Sequence, residues 1–407
     1  MAYEGYVNLK YKPGKDDLVC YFYLEPAQGK SVSDAAAATA AESSIGTWTD
    51  VSTTTKRIAR MRAQVFDIKK NMIKVSYPAD LFEGGNMPEI LSSIAGNVFG
   101  MKEVENLRLT DIDFPDSILK SFKGPAHGIE GVRKYLGVKK RPLTGTIVKP
   151  KLGLNAKEHA QVAYEAWSGG LDIVKDDENL TGQKFNPFNE RVSLTLKMLD
   201  KAERETGERK GYMANVTAET QEMLKRMDFV RDCGGKYIMF DVVTGGWSAL
   251  QTLRDNSNGL IVHAHRAMHG ALTRNKRHGI SMMALAKTYR LIGVDQLHTG
   301  TVVGKMEGSA GEVTAINKAI TGKMGDIKPV FPVASGGLCP THVPDLVNIL
   351  GKDVIIQAGG GVHGHPKGTA AGAAAMRQAV DAAMDRIPLK EYAKTHEELR
   401  SALKKWG

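Results

Sequence analysis

From about residue 140 onward the chain keeps one rhythm, a short apolar strand followed by a helix-length segment, eight times over. The strands read as TGTIVKPK (144–151), LDIVKDDE (171–178), YMANVT (212–217), YIMFDVV (237–243), LIVHAHR (260–266), QLHTG (296–300), VFPVASGG (330–337) and VIIQAGGG (354–361). Helical segments separate them, as at 157–168, 281–292 and 370–384. Short apolar runs rich in β-branched residues fit buried strands, and the longer segments between them fit covering helices. Eight such units predict an α/β fold, a (β/α)8 TIM barrel. A doubly wound open sheet is the alternative. It is disfavoured because its Gly-rich turn would follow the first strand, whereas here the Gly-rich elements follow the last two.

The first 125 residues are built differently. VCYFYLEP (19–26), RAQVFDIK (62–69) and MIKVSYP (72–78) read as strands, and 31–41 as a helix with Ser31 or Ser33 as its cap. A second helix is expected at 87–95. This pattern predicts a smaller N-terminal α+β domain, with helices on one face of an antiparallel sheet. The boundary is expected in the Gly/Pro-bearing stretch 123–131, giving an N-terminal domain over 1–125 and a catalytic barrel over 126–407.

Composition narrows the function. No apolar run is long enough to cross a membrane, and the polar start carries no apolar signal-peptide core. Cys20, Cys233 and Cys339 are far apart and odd in number, which argues against a disulfide framework or a zinc site and fits a cytoplasmic protein. The formal net charge of +10 invites a nucleic-acid reading. However, residues 1–125 carry 15 Lys/Arg against 16 Asp/Glu, so the excess lies in the barrel, and no basic block exceeds KKR at 139–141. A basic active site for an anionic substrate accounts for the same charge. No nucleic acid and no membrane partner is expected.

Polar residues gather where the barrel strands end: Lys149 and Lys151, then Lys175, Asp177 and Glu178, then Asn215, Asp241, His263, His265, His298, Ser335, Gly359 and Gly360. In a barrel these ends form one face, the face that carries active sites. In KDDE (175–178), Asp177 and Glu178 could give a Mg²⁺ ion its carboxylate oxygens. Lys175 cannot ligate as an ammonium, but an amine that has reacted with CO2 becomes a carbamate, an anionic oxygen ligand. A solvated ion-pair turn is the bland alternative. KPK (149–151) places two ammonium groups beside such a metal, where a lysine can transfer protons; an ordinary basic surface turn is the alternative. In HAHRAMH (263–269), His263 and His265 share one strand face and Arg266 follows, a pattern suited to proton transfer and anion binding. HTGTVVGKMEG (298–308) enters a glycine-bounded segment with a single lysine, Lys305, which suits a hinged lid. SGG (Ser335, Gly336, Gly337) and AGGG (358–361) let backbone N–H groups approach a phosphate. Together these read as a Mg²⁺-dependent lyase or isomerase acting on a phosphorylated small molecule through an enediolate.

The strings AAESSIGTW, GNVFG, GTIVKPKLGL, GLDIVKDDEN, HAHRAMH, HTGTVVGKMEG, PVASGG and QAGGGVHGHP, spread over residues 19 to 384, together resemble the large subunit of ribulose bisphosphate carboxylase/oxygenase (RuBisCO). The resemblance implies Mg²⁺-dependent enolisation of ribulose bisphosphate and addition of CO2, or O2, giving 3-phosphoglycerate. It implies that Lys175 is the carbamylated lysine that removes the C3 proton, with Asp177 and Glu178 as fellow Mg²⁺ ligands. Lys149 would protonate the final carbanion at C2. Lys151 would support metal and substrate oxygens, and His265 would assist proton transfer around the C3 hydroxyl. Lys305 would close over the substrate. Arg266, His298 and Ser335 would meet one phosphate and its neighbourhood; Gly336, Gly337, Gly359 and Gly360 would line the site of the other. Glu42, Thr47, Trp48 and Asn97 match positions that reach the barrel mouth of a neighbouring subunit, which implies a homodimer with two shared active sites and permits higher multimers of dimers.

The connection from 308 to 331 is short, Met306 stands where plant-type members usually have leucine, and the chain ends soon after the last barrel helix. These features resemble the archaeal form III members, so no small subunit is expected. A RuBisCO-like isomerase or enolase acting on another sugar phosphate is the competing enzyme reading. Relatives of that kind commonly replace the lid lysine, and Lys305 together with an intact KDDE argues against it. A basic barrel serving as a nucleic-acid or assembly scaffold is the non-enzymatic alternative.

Overall fold

A computed structural model describes residues 3–303 and 310–407. The chain divides into two compact units. One comprises Met1–Gly124, Met268–Ile292 and Lys323–Ile327; the other comprises Pro125–Ala267, Gly293–Gly322 and Lys328–Gly407.

The first unit is built on a five-stranded sheet. Its strands are β1 (Asp17–Pro26), β2 (Gln64–Lys69), β3 (Met72–Pro78), β4 (Val104–Asp113) and a two-residue strand from later in the chain, Gly279–Ile280. The order is Gly279–Ile280, β4, β1, β3, β2. β1 alternates buried and half-buried residues, with Leu18, Cys20, Phe22 and Leu24 turned inward, as a strand with one covered face must. The expected antiparallel sheet is corrected in one respect. Gly279–Ile280 pairs parallel with β4, so the sheet is mixed. β4, which pairs along most of β1, was not foreseen from the sequence. The helix Val32–Glu42 starts at Ser31, whose hydroxyl accepts from the Asp34 N–H while Asp34 caps Ser31 in return. The helix Met87–Ala95 has the expected bounds.

The second unit is a closed barrel of eight parallel strands. In chain order they are β5 (Leu143–Ile147), β6 (Ile173–Lys175), β7 (Gly211–Asn215), β8 (Tyr237–Asp241), β9 (Ile261–His265), then, counting Gly279–Ile280 as β10, β11 (Gln296–His298), β12 (Phe331–Ser335) and β13 (Ile355–Gln357). Each pairs with its sequential neighbour, and β13 closes on β5. All eight expected strands are present, each shorter than its sequence pattern. The residues beyond the strand ends leave the ladder: Lys149–Lys151 and Asp177–Glu178 enter loops, and Val242–Val243 start the following helix. Leu143, Ile173, Met213, Met239, Ile261, Phe331, Val333 and Ile355 fill the barrel. This packed interior fixes the strand ends as a rigid rim.

Among the described residues no helix is long and apolar enough to cross a membrane. All three cysteines are free thiols.

Candidate active site at the mouth of the barrel

The C-terminal rim of the barrel gathers the charged groups. Lys175 is the last residue of β6 and is fully buried. Its amine donates to the Asp176 carbonyl at 2.7 Å and to Glu178 Oε2 at 3.3 Å. Lys149, just past β5, donates to Asp177 Oδ2 at 2.7 Å. That carboxylate is buried, while the lysine is 36% exposed. Glu178 also lies 3.6 Å from His265 Nε2, and the other nitrogen of that ring faces Asp241 Oδ1 at 3.0 Å. Burial pushes the Glu178 carboxyl up, but the charges of Lys175 and His265 outweigh it and hold it down at about 2. Lys151 is exposed and reaches Asn179 Oδ1 at 3.4 Å. Lys149, Lys151, Lys175, Asp177, Glu178 and His265 are thus brought to the same rim.

The backbone that presents KDDE is held by its middle residue. Asp176 is completely buried. It accepts from Arg191 Nε at 3.1 Å, the Tyr212 hydroxyl at 2.7 Å and the Asn215 N–H at 2.9 Å, and His159 Nε2 lies 3.0 Å away. These cations and donors outweigh burial and hold its carboxyl well below the usual range. Asn215 also donates to the Asp177 and Glu178 carbonyls, at 3.3 and 3.2 Å. Asp176 therefore points away from the two neighbours that face the mouth. The sequence reading missed this cage. A signal existed: Arg191 falls on the buried face of the helix Phe188–Thr206, in phase with Phe188, Val192, Thr195 and Leu199. A buried arginine there requires an acid partner.

On the opposite strands, His298 is buried, and Arg266 is half-buried beside Gly300. Gly300 has φ +110°, and a Cβ there would meet Arg266 Nη2 at 3.0 Å. Burial lowers the Arg266 guanidinium to about 10 and holds His298 well below its ordinary value. Ser335 ends β12 and opens into Gly336 and Gly337, both with positive φ. The next glycine loop lies against this one. A Cβ on Gly361 would fall 2.1 Å from the Leu338 carbonyl, so the two loops pack backbone to backbone. Gly359 and Gly360 begin the single turn Gly360–His363, and a Cβ on Gly359 would meet Lys149 Cε at 3.2 Å. His363 Nε2 donates to the Ile147 carbonyl at 2.9 Å, tying that turn to the strand that carries Lys149.

Glu42, Thr47, Trp48 and Asn97 belong to the other unit. There Asn97 Nδ2 donates to Glu42 Oε1 at 3.4 Å, and Trp48 is 77% exposed. Lys305 lies outside the described residues.

Two family models match the chain. Residues 128–406 match the catalytic domain of the ribulose bisphosphate carboxylase large chain, and residues 5–118 match its N-terminal domain. The chain is 53% identical to "Ribulose bisphosphate carboxylase" of Methanosarcina acetivorans, covering 99% of each. It is 51% identical to the protein of the same name from Pyrococcus abyssi, over 100% of this chain and 97% of that one. Among solved structures it is similar to octameric Rubisco from Pyrococcus horikoshii OT3, with TM-score 0.97 and 50% identity over 100% of this chain and 97% of that one. It is likewise similar to dimeric archaeal Rubisco from Hyperthermus butylicus, with TM-score 0.94 and 48% identity over the whole of both chains. The rim of lysines and carboxylates thus sits in a chain that belongs, over both its domains, to the family of ribulose bisphosphate carboxylase large chains.

Proposed function

We propose that the protein is a ribulose bisphosphate carboxylase, catalysing Mg²⁺-dependent enolisation of its substrate and addition of CO2, or of O2, to give 3-phosphoglycerate. The observation that carries this reading is the fully buried Lys175 amine, 3.3 Å from Glu178, on the rim where Lys149 meets Asp177.

The donor set bears on the metal. Among the described residues there is no group of three or more His, Cys, Asp or Glu that could hold an ion. Asp177 and Glu178 supply two carboxylates, and the next group along is an amine. Conversion of Lys175 to a carbamate would make all three donors oxygens, which is what a hard cation such as Mg²⁺ requires. Bound there, Mg²⁺ supplies Lewis-acid stabilisation of oxygen-centred negative charge.

The remaining roles are assigned to the chain's own groups. Lys175, once carbamylated, takes the C3 proton. His265, oriented by Asp241, relays a proton at the C3 hydroxyl. Lys149 leaves its pairing with Asp177 and returns a proton to C2. Lys151 steadies substrate oxygens. Arg266, His298 and Ser335 serve one phosphate and its neighbourhood, and backbone N–H groups at Gly336, Gly337, Gly359 and Gly360 hold the other. The role of Lys305 over the substrate rests on the resemblance alone. Glu42, Thr47, Trp48 and Asn97 complete the mouth of a neighbouring subunit in a homodimer, as the dimeric and octameric assemblies of the relatives suggest. The protein acts in the cytoplasm without small subunits.

The test is fixation of labelled CO2 with ribulose bisphosphate under anaerobic conditions, after incubation with Mg²⁺ and bicarbonate. Labelled 3-phosphoglycerate is the expected product. Folded, metal-loaded protein that yields none would overturn the carboxylase reading, and turnover of a different sugar phosphate would replace it with an isomerase or enolase.

A further inference from the structure

Behind the rim, three buried side chains that the roles above do not use form a line ending on His298. Tyr237 (β8), His263 (β9) and Gln296 (β11) are wholly buried, and His298, two residues past Gln296, is 6% exposed. The Gln296 Nε2 group donates to the Tyr237 hydroxyl oxygen at 3.4 Å. Its Oε1 faces His263 Nδ1 at 2.9 Å. His263 Nε2 in turn faces His298 Nε2 at 3.0 Å, the two rings standing edge to face at 85°.

Each contact dictates the proton in the next. An amide oxygen can only accept, so His263 carries its proton on Nδ1. Burial holds His263 well below its ordinary value, so the ring is neutral and its Nε2 is a lone pair. A lone pair at 3.0 Å from a second ring nitrogen requires a proton on that nitrogen, so His298 carries its proton on Nε2. The nitrogen left for any other group is Nδ1, without a proton. Reversal of the Gln296 amide would move every proton one place along and put the His298 proton on Nδ1.

We propose that Gln296 is a positioning residue that, acting through His263, fixes His298 as the Nε2–H tautomer, so that this ring offers the substrate an acceptor instead of a donor. A phosphate dianion has no proton to give such an acceptor, whereas a substrate hydroxyl has. His298 is thereby matched to a hydroxyl next to the phosphate, and the phosphate oxygens are left to Arg266 and the backbone. This substrate assignment rests on the carboxylase reading; the tautomer does not.

The test is nitrogen-15 magic-angle-spinning NMR of the full chain with labelled histidine, His298 being assigned by its loss in His298→Gln. The expected wild-type spectrum has His298 protonated on Nε2 and bare at Nδ1. Tyr237→Phe frees the amide to turn, and Gln296→Met removes the acceptor; each is expected to give a mixture of His298 tautomers. Both variants should raise KM for ribulose bisphosphate by about five- to tenfold, the scale of one hydrogen bond, with a smaller change in kcat. Wild-type His298 protonated on Nδ1 overturns the proposal without recourse to any variant. So does a His298 tautomer unchanged in folded Gln296→Met, which would mark Gln296 as packing only. Absence of carboxylation by the wild-type protein overturns the carboxylase reading and leaves the tautomer result standing.

Discussion

Charge lines both ends of the barrel, and the two ends handle it differently. At the N-terminal end, Asp172 precedes β6 and receives both Arg141 guanidinium nitrogens at 2.7 Å together with the Thr144 N–H at 2.8 Å. Asp295 precedes β11 and accepts from the N–H groups of His127, Gly128 and Val262 at 2.6, 2.8 and 2.9 Å. Arg133 donates to Asp353 and to the carbonyls of Val138, Arg141 and Lys352. Each of these ions is fixed by several partners, many of them backbone, which cannot be exchanged without undoing the fold. At the C-terminal end the ion pairs are single side-chain contacts, and the backbone adds the Asp176 carbonyl on Lys175 and the Asn179 N–H on Asp177. Lys149 holds Asp177 by one contact, and Glu178 is shared between Lys175 and His265. Such pairs can be released when a metal, a carbamate or a substrate phosphate arrives. The bottom of the barrel uses charge for stability, and on the proposed function the mouth keeps it available for chemistry.

The sharpest break in this comparison is Lys175→Ala. Removal of the group assigned to proton abstraction is expected to lower CO2 fixation by about a thousandfold or more. The same change removes a buried amine and leaves Glu178 half-exposed, so the melting temperature should stay within a few degrees of wild type. Parallel loss of fixation and of thermal stability would place Lys175 among the structural charges instead.

Arg141→Met is the mirror experiment. It strands Asp172 in a site that is 1% exposed, and breaking a buried pair in this way costs about 3–5 kcal/mol. The urea midpoint should fall accordingly, while kcat per folded molecule stays unchanged. A variant as stable as wild type but catalytically impaired would reverse the roles assigned to the two ends.

These roles were unevenly legible. The strand–helix rhythm made the barrel readable, because each strand is buried on both faces and its apolar run stands out. KDDE, KPK and HAHR were readable as a site because each ends a strand. The fate of the individual aspartates was not. Asp172, Asp176 and Asp177 lie within six consecutive residues, yet they serve the bottom, the cage behind the rim and the mouth respectively. What separates them is the strand Ile173–Lys175, which carries the chain across the barrel, and partners such as Arg141, Arg191 and Tyr212 that are distant in sequence. β4 escaped for a related reason. Its VENLRLTDID mixes charge with Leu and Ile, and pairing with β1 on one side and Gly279–Ile280 on the other makes it a strand.

Acid should also tell the bottom aspartates apart. Burial pushes Asp172 up, but the Arg141 hydrogen bonds and charge outweigh it and hold its carboxyl below the ordinary value. Its contribution to stability is therefore complete above the unfolded value of about 3.9 and is lost as pH falls through the depressed folded value. Asp295 runs the other way. Burial holds it above the ordinary range, so the folded state takes up its proton more readily, and acidification relieves a cost. Thermal melts between pH 6 and about pH 3 should show a shallower acid loss in Asp172→Asn than in wild type, and a steeper one in Asp295→Asn. Equal slopes in all three proteins would remove the distinction.

The smallest expected effect is at Lys151, and it marks where the mouth ends. Its amine is exposed, with Asn179 Oδ1 at 3.4 Å as its hydrogen-bond partner. Lys151→Met should leave stability within about 0.5 kcal/mol of wild type, as surface changes do. Loss of a cation proposed to steady substrate oxygens should nonetheless raise KM for ribulose bisphosphate severalfold. The increase should shrink as salt is added to the wild-type assay, because an exposed charge is screened by ions where a buried one is not. The corresponding exposed bottom charge, Arg209, pairs with Glu203 at 3.0 Å. Arg209→Met should match Lys151→Met in stability and leave KM unmoved. A shared rise in KM would mean that the whole basic barrel draws the anionic substrate by its field. A rise confined to Lys151→Met assigns the effect to the rim itself.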